Sequence, residues 1–178
     1  MEHVDVNRAP IIALLLGAVG LVGGVLLASG DLVYQSWLLA FLFWVGLSLG
    51  SLVMLVVGHM AGGGWSAVAQ RPLEASVSLL PIMALLFLPV LFGMNALFLW
   101  TDAAYVADHP LVAAKTAYLN TPFFVARAAI YFGLWILAAW LYLRGSARQD
   151  RDPEASGRIG YDLKRQSGLW LVLYVLTM

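Results

Sequence analysis

Arg127 is the residue of this chain whose type and position most strongly suggest a chemical role. It lies in an apolar segment that opens at Pro122, about five residues or 7–8 Å from the segment's start. An arginine in hydrocarbon is costly, so it tends to face a bundle interior or a wet cavity. Its long side chain could instead reach the headgroups, which is the structural alternative. Phe123, Tyr131 and Trp135 share its face at i−4, i+4 and i+8, so aromatic rings would flank the guanidinium.

Two further polar residues are predicted to lie near Arg127. The segment 75–100 runs in the opposite direction, which places Asn95 at about the depth of Arg127, and Asp102 follows seven residues later on the same face. The flanking rings would suit a planar quinone as well as ordinary packing. We therefore take Arg127, Asn95, Asp102 and Tyr131 as candidates for one polar, quinone-binding pocket near the outer surface.

A second group of chemically capable residues lies between the second and third apolar segments. His59 changes charge near neutral pH, and Arg71 and Glu74 follow it in the same connection. These three residues are candidates for a proton-uptake group. The alternative is that a histidine at a helix end and an i,i+3 arginine–glutamate pair are ordinary interfacial features.

The residues that bind redox centres are scarce. The chain has no cysteine, which excludes thiolate-held iron–sulfur clusters and c-type haem attachment. Its histidines are His3, His59 and His109, which give no pair for a b-type haem within a bundle and no predicted metal site. We expect no covalently bound cofactor, and any electron chemistry would belong to another subunit or to a dissolved carrier.

The elements that must position these residues are apolar helices. The chain is 62% hydrophobic and 11% charged, far from the composition of soluble domains, so the lipid bilayer is its expected surrounding and no nucleic-acid partner is predicted. Long runs without charge can each cross a bilayer as a helix. We predict an all-α, polytopic transmembrane helix bundle forming one membrane domain over 1–178. Its four full spans and the start of a fifth are expected at 9–29, 34–58, 75–100, 122–143 and 167–178.

The distribution of positive charge predicts the orientation of this bundle. Residues 1–8, 59–74 and the hydrophilic loop 144–166 would lie on one side and hold eight Lys and Arg residues, whereas the other side holds Lys115 alone. Cytoplasmic connections are enriched in Lys and Arg. We therefore expect a cytoplasmic N-terminus, and the family resemblance described next implies a location in the bacterial inner membrane.

Several motifs resemble those of one membrane-protein family. They include Gln35-Ser36-Trp37, Phe41-Leu42-Phe43-Trp44, Arg71-Pro72-Leu73-Glu74-Ala75, Phe87-Leu88-Pro89, Lys115-Thr116-Ala117-Tyr118-Leu119-Asn120, and Arg127 with Tyr131-Phe132. From about Tyr34 onward the chain resembles the start of the F-type quinone-binding subunit of bacterial alternative complex III, an NrfD-like (polysulfide reductase) protein.

The resemblance implies a subunit of a quinol:cytochrome c, or other acceptor, oxidoreductase of the respiratory chain. Its partners would be multihaem cytochrome c, iron–sulfur and other membrane subunits, and its ligand would be a quinone such as menaquinone. Members of the family are about twice as long as this chain, so it would carry only the first part of the family's bundle. The F-type subunit is often given a proton-path or structural role.

The leading expectation is therefore a membrane subunit without a redox centre that contributes to quinone binding, a proton path, or both. The sequence does not decide whether this subunit takes part in catalysis itself. The main alternative is a structural anchor that docks partners through small-residue faces such as Gly17, Gly20 and Gly24. A third is a small transporter, although such folds usually contain internal repeats or paired broken helices.

Overall fold

The computed structural model describes residues 9–27, 30–62 and 65–178, and this part of the chain forms helices and no strand. The helices are α1 (Ala9–Leu27), α2 (Gly30–Ala61), α3 (Trp65–Val77), α4 (Leu80–Leu86), α5 (Leu88–Phe92), α6 (Met94–Leu97), α7 (Ala103–Asp108), α8 (Pro110–Ala113), α9 (Thr121–Arg151) and α10 (Ser156–Thr177). The polar lead 1–8, with His3 and Arg8, lies outside the described residues.

Three stretches of the described chain are long and apolar enough to cross a membrane. They are Gly30–Ala61, Val68–Phe92 and Thr121–Arg151. Each overlaps one predicted span, and each carries exposed apolar side chains such as Leu39, Leu85 and Ile130 that suit lipid. The all-α fold with helices able to span a membrane is thus confirmed, whereas α1 contains a shorter apolar stretch, Ile11–Gly24, and the count of four spans stays a prediction.

The predicted third span is broken into short helices. Ser78 and Leu79 form a turn after α3, and prolines stand in the first turns of α4 and α5. A proline fits a first helical turn because its missing N–H needs no partner there, but it cannot continue a regular helix. Another turn at Gly93 precedes α6. The segment 75–100 is therefore a run of short helices separated by turns. The backbone N–H groups of Met83, Phe87 and Leu91 still bond the carbonyls four residues earlier, and Val68–Phe92 as a whole is long and apolar enough to cross a membrane.

The hydrophilic stretch 144–166, predicted as a loop, is mostly helical. The α9 helix continues to Arg151, and α10 begins at Ser156, so only a short turn separates them. In that turn the Asp152 carboxylate accepts a hydrogen bond from the Ala155 backbone N–H at 3.0 Å. The helix can continue beyond the apolar segment because several of the polar residues that follow have high helix propensity, as Arg, Lys, Gln and Glu do.

The long helix α2 lies at the centre of the bundle. It packs against α3 to α6 on one side and against α9 and α10 on the other. Leu52 and Val56 of α2, Leu80 of α4 and Tyr142 of α9 are at most 2% exposed and belong to one apolar core. Cavities lie beside this core at different heights along α2.

The connection after α2 and the α9–α10 turn meet at the same end. Arg71 near the start of α3 contacts Asp150 near the end of α9, and both Asp150 carboxylate oxygens accept bonds from its Nη2, at 2.7 and 2.8 Å. We call this the basic end. Lys115 belongs to the connection before α9, near the other end, where the α10 residue Thr177 accepts a hydrogen bond from Trp135.

Candidate functional site

The largest candidate site is a cavity of about 720 Å³ away from the basic end, which we call the aromatic cavity. This volume is in the range that holds a small organic ligand. Its walls come from α2, the turn between α4 and α5, the connection before α9, and the helices α9 and α10. The lining residues are Phe41, Leu42, Val45, Gly46, Leu49, Phe87, Tyr118, Phe124, Arg127, Ala128, Tyr131, Phe132, Trp135, Leu176, Thr177 and Met178.

Phe87 is the centre of the aromatic wall. Its ring centroid lies 5.6 Å from that of Phe41, 5.4 Å from Phe132 and 6.2 Å from Phe124. Phe87 occupies the turn between α4 and α5, two residues before Pro89, and its ring lies beside rings of both α2 and α9. The cavity is therefore bounded by rings from three separate parts of the chain.

Arg127 lies in the wall of the same cavity and is enclosed by rings. Its guanidinium carbon is 4.1 Å from the Tyr118 ring centroid, 5.4 Å from Phe123 and 6.0 Å from Phe124. Its Nη1 atom is buried and has no hydrogen-bond partner among the described residues. A guanidinium nitrogen with an unused N–H is a strong donor for any acceptor oxygen that comes within hydrogen-bond distance of it.

The start of α9 fixes the depth of Arg127. The Asn120 side chain accepts a hydrogen bond from the Phe123 N–H at 2.9 Å, and Pro122 occupies the first turn. This cap satisfies a backbone donor that would otherwise lack a partner. Arg127 consequently stands between one and two turns into the helix, where its side chain reaches the ring of Tyr118.

Of the four predicted pocket residues, the structure brings two together. Tyr131 lines the aromatic cavity with Arg127, and its ring packs near Trp135 at 6.1 Å. Asn95 is exposed on α6 and is not among the cavity's lining residues. Asp102 caps α7, where its carboxylate accepts from the Ala104 N–H at 2.9 Å, and it also lies outside the lining.

Two residues of the second predicted group, Arg71 and Glu74, belong to one hydrogen-bonded network at the basic end. Glu74 is 9% exposed, and its carboxylate accepts from Gln70 Nε2 at 2.8 Å and from Arg71 Nη1 at 3.1 Å. Gln70 Nε2 also reaches Ser146 Oγ at 3.3 Å. The buried carboxylate is thereby tied to α9, which is the compensation that a buried charge requires.

His59 lies beside this network but is not bonded to it within the described residues. Its Nδ1 is 2.8 Å from the Leu55 carbonyl, and its ring lies 5.2 Å from that of Tyr142. A carbonyl oxygen only accepts, so Nδ1 carries the proton and Nε2 is left for another partner. His59 lines a polar cavity of about 300 Å³ with Gln70 and Lys164, whereas Arg71 and Glu74 do not.

Several participants were not found from the sequence. Tyr118, Phe124 and Phe87 make the aromatic cavity, and Asp150 and Lys164 join the basic end. Tyr118 stands in a connection and Phe87 in a helix break, where helical spacing gives no guide to neighbours. The i,i+4 spacing of Gln70 and Glu74 is the one signal that could have revealed part of the network.

Within residues 9–27, 30–62 and 65–178, no group of three or more His, Cys, Asp or Glu side chains is arranged to hold a metal ion.

In comparison with known proteins, the chain matches no protein-family model and no curated protein. The candidate site must therefore be interpreted from its own geometry.

Proposed function

We propose that this chain is a membrane subunit of a respiratory quinol oxidoreductase and that it binds the quinone ring in the aromatic cavity. The observation that carries the proposal is Arg127, which lines the aromatic cavity and whose Nη1 has no hydrogen-bond partner among the described residues. A quinone combines a flat ring with two acceptor oxygens, so it would satisfy both features at once.

The rest of the lining suits the remaining parts of such a ligand. Phe41, Phe87 and Phe132 offer faces and edges to a planar ring. The Tyr131 phenol can donate to a quinone oxygen or accept from a quinol hydroxyl. Leu42, which lines the cavity, is 54% exposed, so an isoprenoid tail has an apolar exit towards lipid.

The chemistry assigned to the chain is binding and orientation. Oxidation of a quinol to a quinone releases two electrons and two protons. The electrons would pass to redox centres in partner subunits, because this chain contains no cysteine and lacks a histidine pair within its bundle. The resemblance to the NrfD-like subunits of alternative complex III supports the same assignment and names multihaem cytochrome c and iron–sulfur subunits as the partners.

A structural anchor is the second candidate, and the Tyr118 contact favours it. The guanidinium lies 4.1 Å from that ring, so Arg127 ties α9 to the connection that precedes it without any ligand. Because Tyr118 is 54% exposed, a cation–π contact of this kind is worth about 0.5–1 kcal/mol. Under this alternative Arg127 serves stability, and the cavity is filled by lipid chains or by another subunit.

Quinone titration of two arginine variants separates the candidates. Arg144 provides a matched control because it is on the same helix, 4.8 Å from the Trp140 ring centroid, and outside the cavity lining. The full chain in detergent is titrated with a short-chain menaquinone analogue, and the quenching of tryptophan fluorescence is followed. Loss of one charge-assisted hydrogen bond predicts that Arg127→Gln weakens binding by about tenfold or more, whereas Arg144→Gln leaves it unchanged.

The thermal unfolding midpoint of each variant is measured in parallel. Equal quinone affinity in wild type, Arg127→Gln and Arg144→Gln, with only the midpoint of Arg127→Gln lowered, would establish the anchor role instead. Absence of saturable quenching in the wild type would remove the quinone assignment.

A further inference from the structure

The polar cavity at the basic end is a second site, distinct from the aromatic cavity. It has a volume of about 300 Å³ and is formed where the end of α2 meets α3, α9 and α10. Its lining residues are Met54, Leu55, Gly58, His59, Gly62, Gln70, Leu73, Gln149, Gly160, Tyr161 and Lys164. Among the described residues this lining includes one cation, Lys164, and no Asp or Glu.

The polar side of this cavity is rich in donors. The Lys164 Nζ lies 3.8 Å from the position that a Cβ at Gly62 would take, so the ammonium stands directly over the end of α2. Gly62 has a φ of +70°, a conformation that favours glycine, and it has no side chain to screen the ammonium. The Tyr161 hydroxyl, and His59 Nε2 when protonated, add donors on the same lining.

Two acidic side chains at the basic end, Glu74 and Asp150, are already bonded to other partners. Glu74 accepts from Gln70 and Arg71, and Asp150 is held by both of its oxygens on Arg71. None of these contacts uses Lys164. The Lys164 ammonium can therefore contact an anionic ligand in the cavity.

The opposite side of the same cavity is apolar. Met54, Leu55 and Leu73 line it, and Met54 is 47% exposed on the outer surface of α2. These residues lie towards the middle of the bundle, whereas Lys164 lies towards its end. A ligand that fits both sides has an anionic group continuous with an apolar part, and the cavity opens where a headgroup would meet acyl chains.

We propose that the polar cavity binds the phosphate group of an anionic phospholipid, with Lys164 as the principal phosphate contact and Met54, Leu55 and Leu73 against the glycerol and first acyl carbons. Lysine beside a helix end also offsets the partial negative charge of the α2 carbonyls. This interaction with the end of α2 positions the Lys164 ammonium, and its other N–H groups can donate to the phosphate. The bound lipid would fasten α2, α3 and α10 together at the basic end.

Native mass spectrometry of the full chain in detergent tests this proposal. The probes are short-chain phosphatidylglycerol, phosphatidylcholine with the same acyl chains, and inorganic phosphate. We expect one phosphatidylglycerol to be retained per wild-type chain, with phosphatidylcholine retained about tenfold less, because only the former carries a net negative charge. Lys164→Gln should reduce phosphatidylglycerol retention by about tenfold, and Lys164→Glu should reduce it further through repulsion.

Arg165→Gln is the matched control, because this neighbouring cation is exposed and lies outside the lining. It should retain phosphatidylglycerol as the wild type does. Equal losses in Lys164→Gln and Arg165→Gln would indicate general surface charge and overturn the proposal. Equal retention of the two lipids would overturn it as well, and displacement of phosphatidylglycerol by millimolar inorganic phosphate would assign the cavity to the free anion instead.

Discussion

At the scale of single residues, the contacts of the arginines differ with their depth in the bundle. Arg127 lies among three rings with one buried nitrogen unbonded among the described residues, whereas Arg71 is exposed and donates to two carboxylates. An exposed ion pair contributes little to stability because water screens it. The same residue type is thus a ligand-binding candidate at one depth and an organiser of the bundle end at another.

Tyr142 and Ser167 give a residue-scale prediction about hydrogen-bond direction. Ser167 Oγ donates its proton to the Leu163 carbonyl at 2.7 Å, so the Tyr142 hydroxyl must donate to Ser167 across 2.9 Å. Both residues are at most 1% exposed. Ser167→Ala leaves a buried phenol without an acceptor and should lower the free energy of unfolding by about 1–3 kcal/mol. Tyr142→Phe removes the hydroxyl itself, so no buried donor is left without an acceptor. This variant should lower the free energy of unfolding by about 1 kcal/mol.

Unfolding of the single and double variants in detergent provides the measurement. Tyr142→Phe combined with Ser167→Ala should be close to Tyr142→Phe alone, because no buried donor is then left unbonded. A larger cost for Tyr142→Phe than for Ser167→Ala would show that the direction of the hydrogen bond is the reverse.

At the scale of elements, the sequence predicts where helices occur better than where they break. The apolar runs 34–58 and 122–143 fall within α2 and α9, because apolar length is itself the signal for a membrane helix. The polar stretch 144–166 was expected as a loop, since its hydropathy ends a span, although nothing in its residue types prevents a helix.

For the candidate site, the sequence predicts neighbours along one continuous helix but not contacts between separate elements. The contact of Phe123 with Arg127 follows from i−4 spacing on one continuous helix. The placement of Asn95 assumed such continuity over 75–100, but the turns at Phe87 and Gly93 interrupt the helical face before that residue. Tyr118 and Phe87 reach the aromatic cavity only through tertiary packing, for which a single sequence offers no spacing rule.

Close packing of α9 on α10 gives the element-scale prediction. A Cβ at Gly145 would lie 2.8 and 2.9 Å from the two Leu163 methyl carbons, and Leu163 is 4% exposed. Overpacking in Gly145→Ala should destabilise the bundle by about 1–3 kcal/mol. The higher helix propensity of alanine offsets up to about 1 kcal/mol of this loss. Gly133→Ala on the same helix is the control, because a Cβ there meets nothing within 4 Å.

Thermal unfolding midpoints of the two glycine variants decide the matter. The midpoint should fall for Gly145→Ala and stay level or rise for Gly133→Ala, and Leu163→Val should recover part of the loss in the first variant by creating space. Equal effects at both glycines would mean that α9 and α10 do not approach each other closely at Gly145.

At the scale of the whole molecule, two cavities of different chemistry lie at different heights along the same helices. The aromatic cavity uses 41–49 of α2 and 124–135 of α9, whereas the polar cavity uses 54–62 and residue 149. Both helices therefore run from the aromatic cavity towards the basic end, and α10 runs back. A quinone site and an anionic lipid site placed in this way would face opposite halves of a bilayer.

The positions of the two cavities predict that the two ends of the bundle lie on opposite sides of the membrane. Cysteine labelling can test this topology, because the chain has no cysteine and a single introduced thiol is then the only one labelled. Glu154 is exposed in the turn at the basic end, and Asp108 is exposed at the end of α7 in the connection before α9. Lys and Arg concentrate on the cytoplasmic side of membrane proteins. In intact bacterial cells that express the chain, a membrane-impermeant maleimide should label Asp108→Cys and should label Glu154→Cys only after the membrane is opened. Labelling in the opposite order would reverse the proposed orientation, and labelling of both thiols in intact cells would contradict a bundle whose ends lie on different sides of the membrane.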